Sequence, residues 1–255
     1  MLLKKNIKMY KKILKEILAY DTIVVYRHVS PDFDASGTQN GLLTWLKESF
    51  PRKTIYAAGR DFLDFTPSLY PHIEDLDASK LENFLAIVVD TGNTERIDGD
   101  SYKKAASIVK FDHHPDVEKY ASLSVVNDEL ASCAELVLDF VNYFKKKYPL
   151  SMLACKYFYS GIVGDSGRFL YSSTSGHTFD AAKICLDSGL NINRDVYLKM
   201  YEKDVKDLEV QKFLLNNYKV SEKGVAYYVM TDKELKELGL RTEQAKINIH
   251  MFSNI

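Results

Sequence analysis

The run Ala86-Ile-Val-Val89 ends abruptly on Asp90. A continuous β-branched run reads as a strand buried on both faces. An ionised carboxylate is costly there, so Asp90 belongs at the strand's C-terminal tip. The pattern recurs. Ser107–Phe111 leads into Asp112-His113-His114-Pro115, and Thr22–Tyr26 leads into a polar loop, Arg27–Gly37, that carries His28, Asp32 and Asp34. A helix over Ser151–Gly161 leads into a Gly164-Asp165-Ser166-Gly167 turn. Thr54–Ala57 is a further strand candidate, and helix or loop lies between the strands. Strand and helix in alternation favour an α/β fold with a largely parallel sheet covered by helices. Such sheets bind ligands along their C-terminal edge, where these polar residues fall.

The remaining elements follow from periodicity. Ile7, Tyr10, Ile13, Leu14, Ile17 and Leu18, interleaved with lysines, make a surface helix packed on the first strand rather than a targeting segment. Helices are predicted over Asn40–Phe50, Cys133–Tyr148, Gly176–Ser188, Arg194–Tyr201 and Val205–Asn217. Then the character changes. Val225–Met230 reads as a strand and Thr231–Leu238 as a short helix capped by its threonine, the start of a smaller α/β domain. The boundary is placed between residues 217 and 218. The 255 residues are ample for a core. The net charge of −1 excludes a globally basic nucleic-acid binder, though not a local basic cleft. Cys133, Cys155 and Cys185 form no metal or disulfide pattern, which points to a reducing cytoplasm. No apolar stretch approaches the roughly 20 residues of a membrane span.

A solvated turn explains any one of these Asp or His residues. It does not explain four segments converging on one edge, because grouping that many carboxylates without cations is costly. His28, Asp32, Asp34, Asp90, His113 and Asp165 together supply four negative charges and two imidazoles. Two divalent cations balance them. Oxygen-rich ligation with two imidazoles suits Mn²⁺, with zinc, cobalt and iron left open.

The ordered set His28-x-x-Pro31-Asp32-x-Asp34-Ala35, Asp90, Asp112-His113-His114 and Gly164-Asp165 resembles the four motifs of the DHH phosphoesterase superfamily. Val89-Asp90-Thr91-Gly92-Asn93 and the stretch from Gly161 to Phe169 look most like its bacterial nanoRNA phosphodiesterase branch. Members of that branch also hydrolyse 3′-phosphoadenosine 5′-phosphate (pAp), and some act on pApA or cyclic dinucleotides. The resemblance implies a phosphodiesterase in which a metal-bound hydroxide attacks the phosphorus of short RNA or a nucleotide phosphate. It assigns His28 and Asp32 to one metal, Asp34 and His113 to the other, and Asp90 and Asp165 between or beside both. His114 would face the substrate phosphate, and Asp112 would orient the histidine pair. Outside the resemblance, Arg168 follows Asp165 by three and is a candidate for a phosphate oxygen, with a plain surface arginine as the alternative. A homodimer is compatible with this reading. Phe33 departs from the small residue usual between the two aspartates. The family's Gly-Gly-Gly-His loop is absent, so residues 218–255 are expected to be the start of a truncated substrate domain. Two alternatives stand beside this reading: a manganese inorganic pyrophosphatase, and a non-catalytic nucleotide-binding protein on the same fold. His177 lies in a hydroxyl-rich helix start, more an N-cap region than a phosphate site. His72 and His250 read as surface residues.

Overall fold

The computed structural model describes residues 6–60, 69–71, 76, 81–202 and 205–240. His72 and His250 lie outside them. The chain divides into two compact units, Met1–Met200 and Tyr201–Ile255.

The first unit opens with α1 (Ile7–Ala19), which buries Tyr10, Ile13 and Ile17. Its Tyr10 ring packs edge-on against Phe140 at 5.6 Å, the helix lies beside the edge strand Leu123–Val126, and its apolar side joins the core that holds Ile23 and Val25 of the first strand. There follow β1 (Thr22–Tyr26), α2 (Phe33–Ser49), β2 (Thr54–Ala57), β3 (Leu85–Val89), β4 (Ser107–Asp112) and β5 (Leu123–Val126). Next come α3 (Cys133–Tyr143), α4 (Met152–Asp165), α5 (Gly176–Asp187), a π-helical turn at Asn193–Tyr197 and α6 (Leu198–Met200). The five strands are all parallel, in the order β2-β1-β3-β4-β5. This is the expected α/β sheet, with one strand, β5, beyond those predicted.

Alternation along the strands divides the core. Ile23, Val25, Leu85, Ile87, Val89, Val109 and Phe111 face the helices, with Trp45, Phe140 and Phe158 packed over them. Val24, Tyr26, Phe84, Ala86 and Val88 face the opposite way, against Ile97 and Tyr102. Among the described residues that second face is covered by short 3₁₀ turns (Thr94–Arg96 and Ser101–Lys104) rather than by long helices.

Two expected boundaries move, and both matter for the site. The stretch read as a polar loop up to Gly37 is already helix from Phe33, because Asp32 caps α2 by accepting from the Ala35 amide at 2.9 Å. Asp34 is thus in the first helical turn, not in an extended loop. At the other end, α4 continues four residues past Gly161 and has Asp165 as its last residue, so Gly164 and Asp165 are helical rather than a turn.

In the second unit, α7 (Val205–Asn217) precedes a small antiparallel pair, β6 (Lys219–Val220) with β7 (Ala226–Tyr227), and α8 (Asp232–Glu237). Thr231 and Glu234 form a reciprocal capping box at α8. The second compact unit begins at Tyr201, before the boundary expected at 217/218. The reason is packing: Val210 and Leu214 of α7 are buried with Ala226, Tyr228, Met230 and Leu240 of this unit. No helix among the described residues is long and apolar enough to cross a membrane.

Candidate metal centre

Asp90 sits one residue past β3 with φ +52°. Left-handed backbone costs a non-glycine residue roughly 1 kcal/mol. Local bonds hold it there. The Asp90 amide donates to Phe111 O at 2.9 Å, the Thr91 hydroxyl donates to Val89 O at 2.9 Å, and the Tyr120 hydroxyl donates to Thr91 O at 2.7 Å. The turn aims a buried carboxylate between two imidazoles. Asp90 Oδ2 is 3.4 Å from His28 Nε2, and Asp90 Oδ1 is 3.4 Å from His113 Nε2.

Each imidazole carries its own group. Asp32 Oδ2 lies 3.7 Å from His28 Nε2, while Asp32 Oδ1 is spent on capping α2. His113 Nε2 lies 3.7 Å from Asp34 Oδ2 and 3.4 Å from Asp165 Oδ2. Three overlapping donor groups result among the described residues, His28–Asp32–Asp90, Asp34–His113–Asp165 and Asp90–His113–His114, the first and last sharing Asp90. The six residues named from the sequence therefore come together in one place.

Neighbouring groups orient these donors. His28 Nδ1 is 2.8 Å from Val29 O, nearer than the Arg96 guanidinium at 3.3 Å, and His113 Nδ1 is 3.3 Å from Leu130 O. A carbonyl on Nδ1 fixes the proton there and leaves Nε2 as the lone-pair donor, the usual arrangement of a metal-ligating histidine. Asp34 accepts from the Cys133 and Ala134 amides at 2.6 and 2.9 Å, at the N-terminus of α3, and from the Thr38 hydroxyl at 3.1 Å. Asp34 and Asp165 come from different helices, brought together by close backbone approach. A Cβ on Gly37 would lie 2.6 Å from Tyr157 O and 2.7 Å from Gly161 N, and a Cβ on Gly161 would lie 2.9 Å from Asp34 Oδ1. Phe33, the departure noted in the sequence, packs where Gly164 has no side chain.

The electrostatics call for cations. Burial, then the charges of Asp90 and Asp165, push the Asp34 carboxyl well above its ordinary range. Burial, then Asp32 and Asp90, raise Asp165 to about 7. Burial would push both imidazoles down, yet facing carboxylates outweigh it: Asp32 and Asp90 raise His28 to about 10, and Asp90 and Asp34 raise His113 to about 10. Burial also opposes the Asp90 charge, but the two histidines keep that carboxyl below its usual range. The imidazoles are thus drawn to hold protons as the nearest substitute for positive charge. Asp90 Oδ1 and His113 Nε2, both buried, have no hydrogen-bond partner. These donors fit divalent cations, which supply the charge and complete the coordination.

His114 differs from His113. Its Nδ1 is 2.8 Å from Asp112 Oδ1 and 3.6 Å from Asp90 Oδ1, and its side chain is 42% exposed. The shorter contact claims Nδ1, leaving Nε2 for an incoming group. Asp112, with some help from Asp90, raises its pKa and favours the cation. Arg168 belongs to neither cluster. It is exposed past the end of α4, in a left-handed conformation (φ +62°). His177 lies behind the Ser175 cap of α5, 3.4 Å from Asp139 Oδ2. The sequence reading missed Lys110, a buried ammonium 3.3 Å from Asp112 Oδ2. A lysine inside the apolar run Ile108-Val-Lys-Phe111 was the available signal.

The DHH family, N-terminal domain, matches residues 22–162. A Streptococcus mutans protein named "Probable bifunctional oligoribonuclease and PAP phosphatase NrnA" is 35% identical over 233 residues, 91% of this chain and 73% of its own. The bifunctional oligoribonuclease and PAP phosphatase NrnA of Bacillus subtilis is 32% identical over 250 residues, 97% of this chain and 78% of its own. Among solved structures, an exopolyphosphatase-related protein from Bacteroides fragilis superposes with a TM-score of 0.87 at 22% identity, over 97% of this chain and 76% of that one, a likeness of fold. The chain belongs to the DHH family of divalent-metal-dependent phosphoesterases and is a hydrolase of phosphoester bonds.

Proposed function

We propose that the chain is a two-metal phosphodiesterase and phosphatase that cleaves short oligoribonucleotides and removes a phosphate from pAp, with Mn²⁺ as its working ion. The observation that carries this reading is Asp90 set between His28 and His113, each 3.4 Å away. The names of the relatives supply the substrates. His28, Asp32 and Asp90 would hold one ion, and Asp34, His113 and Asp165, with the second Asp90 oxygen, the other. When bound, the pair supplies Lewis acidity at the phosphoryl group and acidifies water for attack on phosphorus.

The protein's own groups do the rest. The carbonyls on Nδ1 of His28 and His113 keep both Nε2 atoms turned inward. The α3 amides fix the Asp34 carboxylate. His114, held through Nδ1 by Asp112, presents a cationic edge where charge builds on the phosphoryl oxygens. Arg168 is assigned to a phosphate oxygen on the strength of its exposure beside α4. The three cysteines, all unpaired and buried, accord with a reducing cytoplasm. The assembly proposed is a homodimer, which sedimentation of the purified chain would test.

The deciding assay is a substrate panel with Mn²⁺: pAp, pApA, a five-nucleotide RNA, cyclic di-AMP and pyrophosphate. Turnover of pAp and the short RNA well above pyrophosphate is expected. Preference for pyrophosphate would overturn the substrate assignment in favour of the pyrophosphatase reading. Absence of turnover on every substrate would favour a non-catalytic protein.

A further inference from the structure

Lys110 is a buried cation that the reaction as described does not use. It is 1% exposed, on the face of the sheet away from the large helices, and the neighbours on its strand are apolar. Sequestering an ammonium is costly unless its partners repay it. Its partners all lie at the tips of strands or just beyond. Lys110 Nζ donates to Gly92 O at 3.1 Å and to Asp116 Oδ1 at 3.4 Å, and it lies 5.0 Å from the centroid of the Tyr120 ring. It also meets Asp112 Oδ2 at 3.3 Å, as an ion pair rather than an aligned hydrogen bond.

The last contact gives the lysine a line to the reacting groups. Asp112 is fully buried, and a carboxylate is planar, so fixing one oxygen fixes the other. With Oδ2 drawn to the ammonium, Oδ1 faces the His114 backbone amide at 3.3 Å and His114 Nδ1 at 2.8 Å. We propose that Lys110 is a positioning residue which, through Asp112, holds His114 in the orientation that presents Nε2 to the substrate phosphoryl group. This rests on the phosphodiesterase reading above and adds a residue to it. Without the ammonium, Asp112 is free to turn about its side chain and His114 loses its fixed direction. The ion-binding residues keep their own supports, the carbonyls on the histidines and the α3 amides on Asp34.

The test is a double-mutant cycle on the full chain with Mn²⁺ and pAp: Lys110→Met, His114→Ala and the two together. Lys110→Met should lower kcat by about 10–100-fold, the usual effect of losing an outer orienting partner, with KM within about threefold. In the His114→Ala background the same change should cost less than about threefold, because the group it positions is gone. Lys110→Arg should recover most of the lost kcat. Calorimetric titration should still find two Mn²⁺ per chain in Lys110→Met. Equal losses in both backgrounds, wild-type kcat in Lys110→Met, or loss of an ion would overturn the proposal. If Lys110→Met melts without cooperativity, Lys110→Gln takes its place in the cycle. If neither variant folds, Lys110 serves folding alone and the proposal fails. Inactivity of the wild-type chain on pAp and short RNA would overturn the functional reading and this inference together, whereas an additive cycle in an active enzyme overturns only the inference.

Discussion

Replacing Gly37 by alanine probes how the fold holds the site. Gly37 lies on α2 three residues after Asp34, against Gly161 on α4, four residues before Asp165. The added methyl would sit 2.6 Å from Tyr157 O and 2.7 Å from Gly161 N, about 0.7–0.8 Å inside ordinary contact. Both obstacles are backbone, so no side-chain rotation relieves them and the helices must part. Overpacking of this kind typically costs 1–3 kcal/mol, and backbone partners place the expected loss at about 2–3 kcal/mol. Parting α2 from α4 also separates Asp34 from Asp165, the two carboxylates that meet at His113. Mn²⁺ affinity at that position should therefore fall, by about 10–100-fold as for other lost supports. Urea denaturation measures the first effect and calorimetric titration the second. Gly176→Ala is the control, since its methyl would meet nothing within 4 Å in the first turn of α5; it should be neutral or stabilising by up to about 1 kcal/mol. If Gly37→Ala is no more destabilising than this control and binds Mn²⁺ as tightly as wild type, the helix contact does not position the site.

Asp90→Ala should lose ion binding and turnover together, whereas His114→Ala should keep two ions by titration and lose about 10²–10³ in kcat; an ion lost from His114→Ala would make that histidine a ligand. Chelation should lower thermal stability: if working Mn²⁺ is about 1,000 times its Kd, roughly 4 kcal/mol is removed, a fall in Tm of about 8–16 °C by calorimetry, and an unchanged Tm would argue that no ion is bound. Glu135 is fully buried, and burial raises its carboxyl to about 7 from the ordinary 4.5. Its ionisation therefore opposes folding: the contribution is most favourable below pH 4.5, declines as pH rises towards 7, and levels off above it. Glu135→Gln should remove this decline, worth up to about 3 kcal/mol between pH 4.5 and 8, so equal wild-type and variant pH slopes in urea melts would sink the assignment.

The strand tips were legible because an Asp or His directly after a β-branched run admits few placements. The same logic located Asp90 and His113 and pointed to His28, Asp32 and Asp34 in the segment after β1, while Asp165 stood out only as a carboxylate closing an apolar helix. The start of α2 was not legible. Phe33–Asn40 is rich in polar residues and glycine, and its buried polar side chains are held by specific bonds rather than by an apolar stripe: Gln39 Nε2 donates to Val25 O and Ala58 O at 2.8 and 2.7 Å, and Asn40 donates to Ser36 O at 2.9 Å. A helix buried on a polar side shows no amphipathic stripe. Strand β5 is a four-residue edge with one buried side chain, too short to carry a pattern. In sequence α7 looks like its predecessors, and only the packing of Val210 and Leu214 shows which core it serves. Glycine contacts between α2 and α4 leave no periodic trace. Lys110 was visible, but its meaning depends on Asp112 and His114 lying at the same tip.

The central claim is a pair of cations sharing Asp90. Anomalous diffraction at the manganese edge from crystals grown with Mn²⁺ tests it most directly. The account predicts two peaks per chain about 3.5–4 Å apart, one beside His28 and Asp32, the other beside Asp34, His113 and Asp165, with an Asp90 oxygen on each. A single peak, or two peaks neither of which touches Asp90, would contradict it.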